Sequence, residues 1–440
     1  MKKILSATLL FATALLMFTA CAGEQEDIFD KSAAERLNEV SSVYTQRLTS
    51  SAAGWAMEYY PTNGTSAPTG SGYLLLADFN TDESVTMGAK NDYTDGAYLS
   101  EKSTWDVITD NGPVLSFNSY NKCLHIFSDP GFYSTGLGLE GDYEFVMVDV
   151  PENGEFIMLK GKKRSTYIRL TRLADGTDFE TYIADVQNFH KTIFPASAPN
   201  DALLHLGDSA IVLGSGSTGI AEMYPYGGDA ITETTSHPFL FTMRNGKYYL
   251  RFRDALTMSD GTEVKEFEYQ PESDYFISTD NDACTITGGD PVEFFWSNVN
   301  SSSHRWQWNS STSMSESFSA QYTALAQAFK SLKYTLNNMS LRQTSDGIVC
   351  RVQYRTSRSS ATVDYKFNAT KEADGVTLQY VEPASDAASN VLNAMPTLSA
   401  ILNTLSQKFI ISGNGTTFNL STVKLTAAND ASLWFAPALY

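Results

Sequence analysis

The sequence predicts an α+β protein that is mostly antiparallel β, in which a helix is followed by a curled sheet or barrel-like meander about three times. Apolar residues recur at every second position through long stretches, and short turn sequences separate those stretches. Helical periodicity returns before each new run of strands. The chain also contains 23 Tyr, 25 Phe and 6 Trp, and aromatic residues of this kind favour strands.

The first 20 residues have the layout of a bacterial-type signal peptide. Two lysines precede an uncharged, mostly apolar stretch that ends in small residues. Phe18-Thr19-Ala20-Cys21 has the form of a lipobox, in which the cysteine is diacylated and the chain is cut just before it. Because two acyl chains give stable anchoring, we predict a signal peptide over 1–20 and a lipid anchor at Cys21, in the outer membrane.

The residues that follow this cysteine are predicted to form an acidic tether over 21–29. Ala22-Gly23-Glu24-Gln25-Glu26-Asp27 is similar to the export tag that carries lipoproteins of Bacteroidota to the cell surface. A plain solvated tether is the alternative interpretation. The anchor and the tag together predict an outer-membrane lipoprotein that faces the cell surface.

Removal of 20 residues from 440 leaves 420, which predicts two to four domains. The first is predicted over 30–175, as a helix plus an antiparallel, barrel-like sheet. A second α+β module is predicted over 176–310 and a third over 311–440.

The first domain opens with a helix over 30–50, because Leu37, Val40, Tyr44 and Leu48 form one apolar stripe. The period then changes to two, and tight turns favour antiparallel neighbours. A single sheet of this size closes or curls to remove its edges. Strands are predicted near 55–59, 73–79, 84–89, 103–108, 113–119, 123–127, 143–150, 155–160 and 165–172.

The second module is predicted to open with a helix from Thr177, which has capping-box spacing to Glu180. Asn245-Gly246 predicts a hairpin turn. Ser297 to Thr312 is polar and predicts a loop at the module boundary. Strands are predicted at 203–213, 238–243, 247–253, 263–270 and 292–296.

The third module is predicted to begin with a helix over 315–331. Two further helices, at 386–394 and 397–406, are joined at Pro396. Strands are predicted at 332–342, 347–356, 361–369, 375–381, 408–412, 416–425 and 432–436.

Charge and cysteine content limit the function. The formal charge of −19 excludes nucleic-acid binding through a general phosphate-neutralising surface. With Cys21 committed to lipid, Cys123, Cys284 and Cys350 remain, and three widely spaced cysteines form no disulfide framework. Three buried thiols are the favoured interpretation, and one disulfide is the alternative.

No constellation in the sequence compels a reaction, so we predict no catalytic residue, no metal site and no cofactor. The five histidines show no HExxH spacing. Gly214-Ser215-Gly216-Ser217-Thr218-Gly219 matches GxGxxG, but a dinucleotide site needs a helix directly after it. Pro225 and nearby glycines argue against that helix, so a flexible loop is favoured.

The best candidate for ligand binding is an aromatic group around the predicted 297–312 loop. Flat aromatic faces stack on sugar rings or hold peptide side chains. The alternative is that these residues fill the core. The candidate residues are Phe294, Trp296, Trp306 and Trp308.

Several segments resemble a Bacteroidota lipoprotein family known only as a domain of unknown function, DUF4302. They include Phe29-Asp30-Lys31-Ser32, Gly54-Trp55, Phe127-Ser128-Asp129-Pro130, Gly141-Asp142-Tyr143-Glu144-Phe145 and Tyr249-Leu250-Arg251-Phe252. The resemblance implies an accessory lipoprotein encoded beside a starch-utilisation-type transporter pair. No catalytic residues follow from it.

We therefore expect a non-enzymatic surface lipoprotein that binds a glycan, an oligopeptide or partner lipoproteins beside an outer-membrane importer. A hydrolase with a dispersed active site is the first alternative. A fimbrial or adhesive subunit is the second, although a helix after the tether argues against it, because donor-strand exchange needs a removable edge strand there.

Overall fold

The computed structural model describes residues 31–131, 138–226 and 234–440. The predicted signal peptide, Cys21 and the acidic tether lie outside these residues. The predicted fold class is confirmed, because the described chain is mostly antiparallel β. It forms two closed eight-stranded barrels and a curled nine-stranded sheet, with seven α-helices in the described ranges.

The first barrel follows helix α1 (Ala33–Thr49), which Ser32 caps together with Glu35 in a capping box. Each strand pairs with the next in sequence, and β1 closes the barrel on β8. The predicted antiparallel meander is therefore a closed barrel. Its strands are β1 (Trp55–Tyr59), β2 (Tyr73–Phe79), β3 (Ser84–Ala89), β4 (Leu99–Thr109), β5 (Pro113–Phe117), β6 (Glu144–Asp149), β7 (Phe156–Gly161) and β8 (Tyr167–Arg172).

Both ends of the first barrel are covered. At one end Leu48 of α1 is buried, and its carbonyl accepts a 2.8 Å hydrogen bond from the Trp55 indole. At the other end lies the short helix α2 (Lys122–His125), followed by a 3₁₀ turn whose Phe127 is fully buried. The predicted strand over 123–127 is therefore wrong. The Asn121 side chain accepts from the Cys123 amide and starts a helix there instead.

Helix α3 (Phe179–Ile193) leads into the second barrel, and Asp178 caps it instead of the predicted Thr177. The barrel is again a sequential meander, closed by β9 on β16. The predicted hairpin at Asn245-Gly246 is confirmed. The strands are β9 (Ala202–Leu206), β10 (Ser209–Gly214), β11 (Ile220–Pro225), β12 (Thr235–Arg244), β13 (Lys247–Thr257), β14 (Glu263–Gln270), β15 (Tyr275–Ser278) and β16 (Cys284–Thr287).

The third sheet packs one face against four helices, and their shared core is a single hydrophobic cluster. The predicted strand at 292–296 is wrong, because Asp290 caps a helix that begins at Pro291. The helices are α4 (Pro291–Val299), α5 (Glu316–Ser331), α6 (Asp386–Ala394) and α7 (Pro396–Leu405). The strands are β17 (Trp306–Trp308), β18 (Thr335–Thr344), β19 (Gly347–Arg355), β20 (Ser360–Lys371), β21 (Gly375–Pro383), β22 (Lys408–Gly413), β23 (Val423–Ala427), β24 (Asp430–Phe435) and β25 (Ala438–Leu439).

A buried ionic network joins the outer faces of the two barrels. Glu58 of β1 lies 3.2 Å from the guanidinium of Arg251 in β13. Glu266 of β14 accepts from Arg169 of β8 at 3.2 Å and from Arg244 at 2.6 Å. Burial raises the pKa of Glu58 despite these neighbouring arginines. The joint is therefore charged and largely excluded from water.

The three remaining cysteines are buried and free, as the favoured interpretation predicted. Burial raises the pKa of the Cys123 thiol to about 12. Across 31–131, 138–226 and 234–440, no helix has the length and apolar character required to span a membrane.

Candidate functional site

The interior of the second barrel changes in character from one end to the other. Aromatic residues fill the half nearer α3, where the Phe241 ring contacts both Phe239 and Phe276. The opposite half is lined by smaller aliphatic side chains, including Leu206, Ile211 and Leu256. Eight-stranded barrels are just wide enough to be filled by side chains or to hold one small ligand. Aliphatic residues fill less of the interior, so space for a ligand remains at this end.

Helix α3 closes the aromatic end. The Phe189 ring stacks on Tyr248 with centroids 3.9 Å apart. The His190 imidazole lies 2.9 Å from the Gly216 carbonyl oxygen, and the Tyr182 hydroxyl donates to the Met243 carbonyl. These contacts fix the helix against the barrel rim, and His190 is a hydrogen-bonded structural residue.

Within the part of the chain that the structure describes, the aliphatic end opens into a cavity of about 710 Å³. This volume lies within the range of sites that hold small organic ligands. The described lining residues are Leu206, Ser209, Ala210, Ile211, Met223, Tyr224, Pro225, Thr235, His237, Ala255, Leu256 and Thr257.

Strand alternation aims the lining side chains inward. In β12, Thr235 and His237 share the strand face of Phe239, which points into the barrel. The register pairs Met223 with Thr235, so Met223 lies beside them on the neighbouring strand. The inward face of β12 therefore runs from the aromatic core at Phe239 to the polar residues His237 and Thr235 at the rim.

His237 and Thr235 are the principal polar groups of this mouth. The His237 Nε2 atom lies 2.9 Å from the Thr235 hydroxyl. Burial lowers the pKa of His237, which favours the neutral imidazole at neutral pH. Tyr224 alternates with Met223 on β11 and so lies on the other strand face, where its hydroxyl donates to Asp201 at 3.0 Å, away from the mouth. The mouth can therefore offer uncharged hydrogen-bonding groups beside an aliphatic wall.

The predicted aromatic group lies elsewhere, in the core of the third module. Residues 300–305 and 309–312 form loops as predicted, but Trp306 and Trp308 form the short strand β17 within them and are fully buried. The Trp306 indole donates to the Phe295 carbonyl at 3.2 Å, and Trp308 packs on Phe435. Their faces are covered by protein and leave no surface for a ligand.

The other two residues of that group lie on α4. Phe294 and Trp296 are partly buried and pack against the same core, and Phe294 meets Trp306 edge to face. The structure therefore brings Phe294 and Trp306 together, but as packing partners.

The glycine motif at 214–219 forms one 3₁₀ turn, Gly216–Thr218, and then continues directly as β11. The prediction that no helix follows it is confirmed. Among the described residues, no group of three or more His, Cys, Asp or Glu side chains is arranged to hold a metal ion.

Sequence reasoning missed the barrel mouth because its wall comes from five strands spread over 206–257. One local signal was available. His237 is a polar residue on the same strand face as Phe239 and Phe241, two residues before the first and four before the second. Such a polar residue on a core face is typical of a pocket wall, but only barrel closure shows that it meets Leu206 and Leu256.

Three comparisons with known proteins bear on the chain. A family model described as a domain of unknown function, DUF4302, matches residues 25–271. A search of curated proteins finds no match. Among solved structures, the chain is similar to a protein described as a DNA polymerase III beta subunit from Eubacterium rectale, at 8% identity. That match covers 91% of this chain and 97% of the other, with a TM-score of 0.13, which is too low to support an argument.

Proposed function

This chain belongs to the DUF4302 family, and from that premise we propose that it is a non-enzymatic lipoprotein of the outer-membrane surface that binds a nutrient ligand beside an importer. The single observation that carries the binding function is the 710 Å³ cavity at the open end of the second barrel. The lipid anchor at Cys21, the Bacteroidota source and the neighbouring transporter pair belong to the same proposal and are supported by the sequence resemblance.

The chemistry of the cavity favours an oligopeptide over a glycan. Sugar rings are held by flat aromatic faces and many hydrogen bonds, whereas Leu206, Ile211, Met223 and Leu256 present a rounded aliphatic wall. Such a wall gains free energy by burying apolar surface. An apolar peptide side chain in the mouth, with its backbone near Thr235, fits both features.

The test is calorimetric titration of the folded chain with trileucine, with triserine and maltohexaose as comparison ligands. Ser209→Trp places an indole at the rim of the mouth, where Ser209 is exposed and begins β10. Ser273→Trp places the same indole on an exposed turn at the opposite end of the same barrel. We expect micromolar binding of trileucine that is lost in Ser209→Trp and kept in Ser273→Trp.

Equal binding of trileucine by both variants would locate the site away from the mouth. Tight binding of maltohexaose with no peptide binding would replace the peptide assignment by a glycan. The anchor is tested separately with Cys21→Ser, which we expect to move the protein from the membrane fraction to the soluble fraction of a producing bacterium. If the variant stays in the membrane, the proposed anchor fails while the binding proposal stands.

A further inference from the structure

Positive charge is distributed very unevenly along this acidic chain. Residues 291–440 contain 11 Lys or Arg and 9 Asp or Glu, whereas the rest of the chain contains 20 and 41. The third module therefore carries a small positive charge while the two barrels carry all of the net negative charge. An anionic ligand would be repelled by the barrels and attracted to the third sheet.

Two arginines lie opposite each other on the face of the third sheet that points away from the helices. β17 and β18 pair Trp306 with Leu341, and continuing that register by one residue places Arg305 opposite Arg342. The Arg305 backbone extends the ladder, since it exchanges two 2.9 Å hydrogen bonds with Tyr440. Like charges directly opposite each other destabilise a sheet, so this pair requires an explanation.

A third arginine on the same face adds to the positive charge. Arg351 lies on β19 opposite Ser340 and makes two 2.7 Å bonds to Asp364 of β20. Neither Arg305 nor Arg342 makes an ion pair within the described part of the chain. The patch of Arg305, Arg342 and Arg351 therefore has three guanidinium groups and one bonded carboxylate, so positive charge exceeds negative charge among its side chains.

Arg342 is the least satisfied member of this patch. Its Nε atom is buried and has no hydrogen-bond partner among the described residues. Burial is the main reason that its pKa is lowered, and the positive charges of Arg351 and Arg305 add to the effect. On the open side, the guanidinium of Arg305 lies 5.4 Å from the centre of the exposed Tyr440 ring. An aromatic ring therefore borders the patch.

We propose that Arg305, Arg342 and Arg351 form a binding site for a tetrahedral dianion, a phosphate or sulfate group. Guanidinium groups bind such oxyanions through paired N–H···O bonds. A dianion offsets this excess of positive charge and relieves the repulsion across β17 and β18. The site lies in the third module and shares no residue with the barrel mouth.

The test is calorimetric titration of the full chain with inorganic phosphate and inorganic sulfate at constant ionic strength. Arg305→Gln and Arg342→Gln remove one charge each. Arg358→Gln, in an exposed turn between β19 and β20, is the matched control. We expect saturable binding that weakens at least about tenfold in either patch variant and is unchanged in the control. Circular dichroism shows that each variant is folded.

The unliganded proteins give a second, independent measurement. Because the like-charge pair is relieved, Arg342→Gln is expected to melt at a higher temperature than the wild type in chloride buffer, and to lose the stabilisation that phosphate gives the wild type. Acetate, a monoanion, is expected to bind more weakly than phosphate. Glycerol phosphate and glucose sulfate then distinguish an ester group from a free ion as the source. Equal phosphate binding by all variants, or none by the wild type, overturns the site.

Discussion

The two barrels share strand number, strand order and closure, yet they differ in how their ends are covered. In the first, α1 and the α2 turn cover opposite ends, and Trp55 and Phe127 lie fully buried beneath them. In the second, α3 covers one end, and among the described residues the other end opens into a 710 Å³ cavity. The same topology thus forms a barrel that is covered at both ends in one module and a barrel with a cavity at one end in the other. The two barrels therefore differ in the segments that follow the strand ends, and not in the number or order of their strands.

This difference also means that the residues that stabilise the second barrel and the residues that would bind a ligand lie at opposite ends. The closed barrel buries aromatic rings such as Trp55, Phe117 and Phe145 together with aliphatic side chains in one hydrophobic cluster. The second barrel keeps its aromatic rings near α3 and places Leu206, Met223 and Leu256 near the opening. Its packing is therefore strongest where α3 docks and weakest where a ligand would enter.

The largest expected effect follows from removing a cover of the closed barrel. Phe127→Ala deletes a fully buried ring that contacts Tyr59 and Tyr73. Because such a truncation loses transfer free energy and leaves a cavity, we expect the free energy of unfolding to fall by about 3–5 kcal/mol. Urea unfolding followed by tryptophan fluorescence measures it. A loss below about 1 kcal/mol would mean that the turn is not a structural plug.

A comparable loss is expected at the ionic joint between the barrels. Arg251→Met leaves Glu58 buried without its nearest partner, which costs about 3 kcal/mol or more when one member of a buried pair is removed. Lys366→Met, in the exposed Lys366–Glu382 pair, is the control, and should cost at most about 1 kcal/mol.

The penalty at the joint depends on pH in a defined direction. Burial raises the folded pKa of Glu58 above 4.5, so the folded state holds this proton more tightly than the unfolded state. The destabilisation is complete above the folded pKa and falls as pH decreases towards 4.5. The cost of Arg251→Met should therefore shrink in acid, and a cost that grows in acid would contradict it.

A matched pair of leucines compares the two interiors directly. Leu159→Ala in the closed barrel truncates a fully buried side chain, and we expect a loss near the upper end of about 2–5 kcal/mol. Leu206→Ala at the mouth of the open barrel removes a side chain that already borders the cavity. Its cost should be at least about 1 kcal/mol smaller. Equal losses in urea unfolding would mean that the mouth is packed like the closed core.

The sequence predicts the strands, helices and turns of both barrels in large part, but it does not predict the open mouth of the second barrel. Alternation near Trp55 and Tyr73 predicts a closed or curled meander, and the helix over 315–331 and the turn at Asn245-Gly246 are local features that the chain reveals directly. Closure of β9 on β16 pairs residues that are about 80 positions apart in the chain, and no local pattern in the sequence indicates this pairing. For this reason the mouth was not predicted.

The same reasoning explains the aromatic group. Trp306 and Trp308 stand in a Ser- and Asn-rich stretch, which locally indicates a loop. β18 and β25, which bury them, lie about 30 and 130 residues further along the chain. A strand of three residues has too little pattern of its own to reveal that pairing.

The smallest expected effect concerns the polar group of the open mouth. Burial lowers the folded pKa of His237 below 6.5, so the unfolded state binds a proton more readily as pH falls below that value. The stability contributed by the neutral imidazole is therefore complete above 6.5 and decreases as pH falls through the folded pKa. Because His237 is only half-buried, the loss should be a fraction of a kcal/mol. NMR titration of the imidazole measures this pKa directly.

The same protonation should weaken ligand binding. A positive imidazolium beside Leu206 and Met223 opposes the entry of an apolar group, so trileucine should bind less tightly at pH 5 than at pH 7.5. His237→Gln keeps a hydrogen-bonding group for Thr235 without a titrating proton, and should remove the difference. His304→Gln, in an exposed turn outside both barrels, should retain it. If trileucine binding keeps its pH dependence in both variants, protonation of His237 does not cause that dependence, and the ligand does not approach that wall.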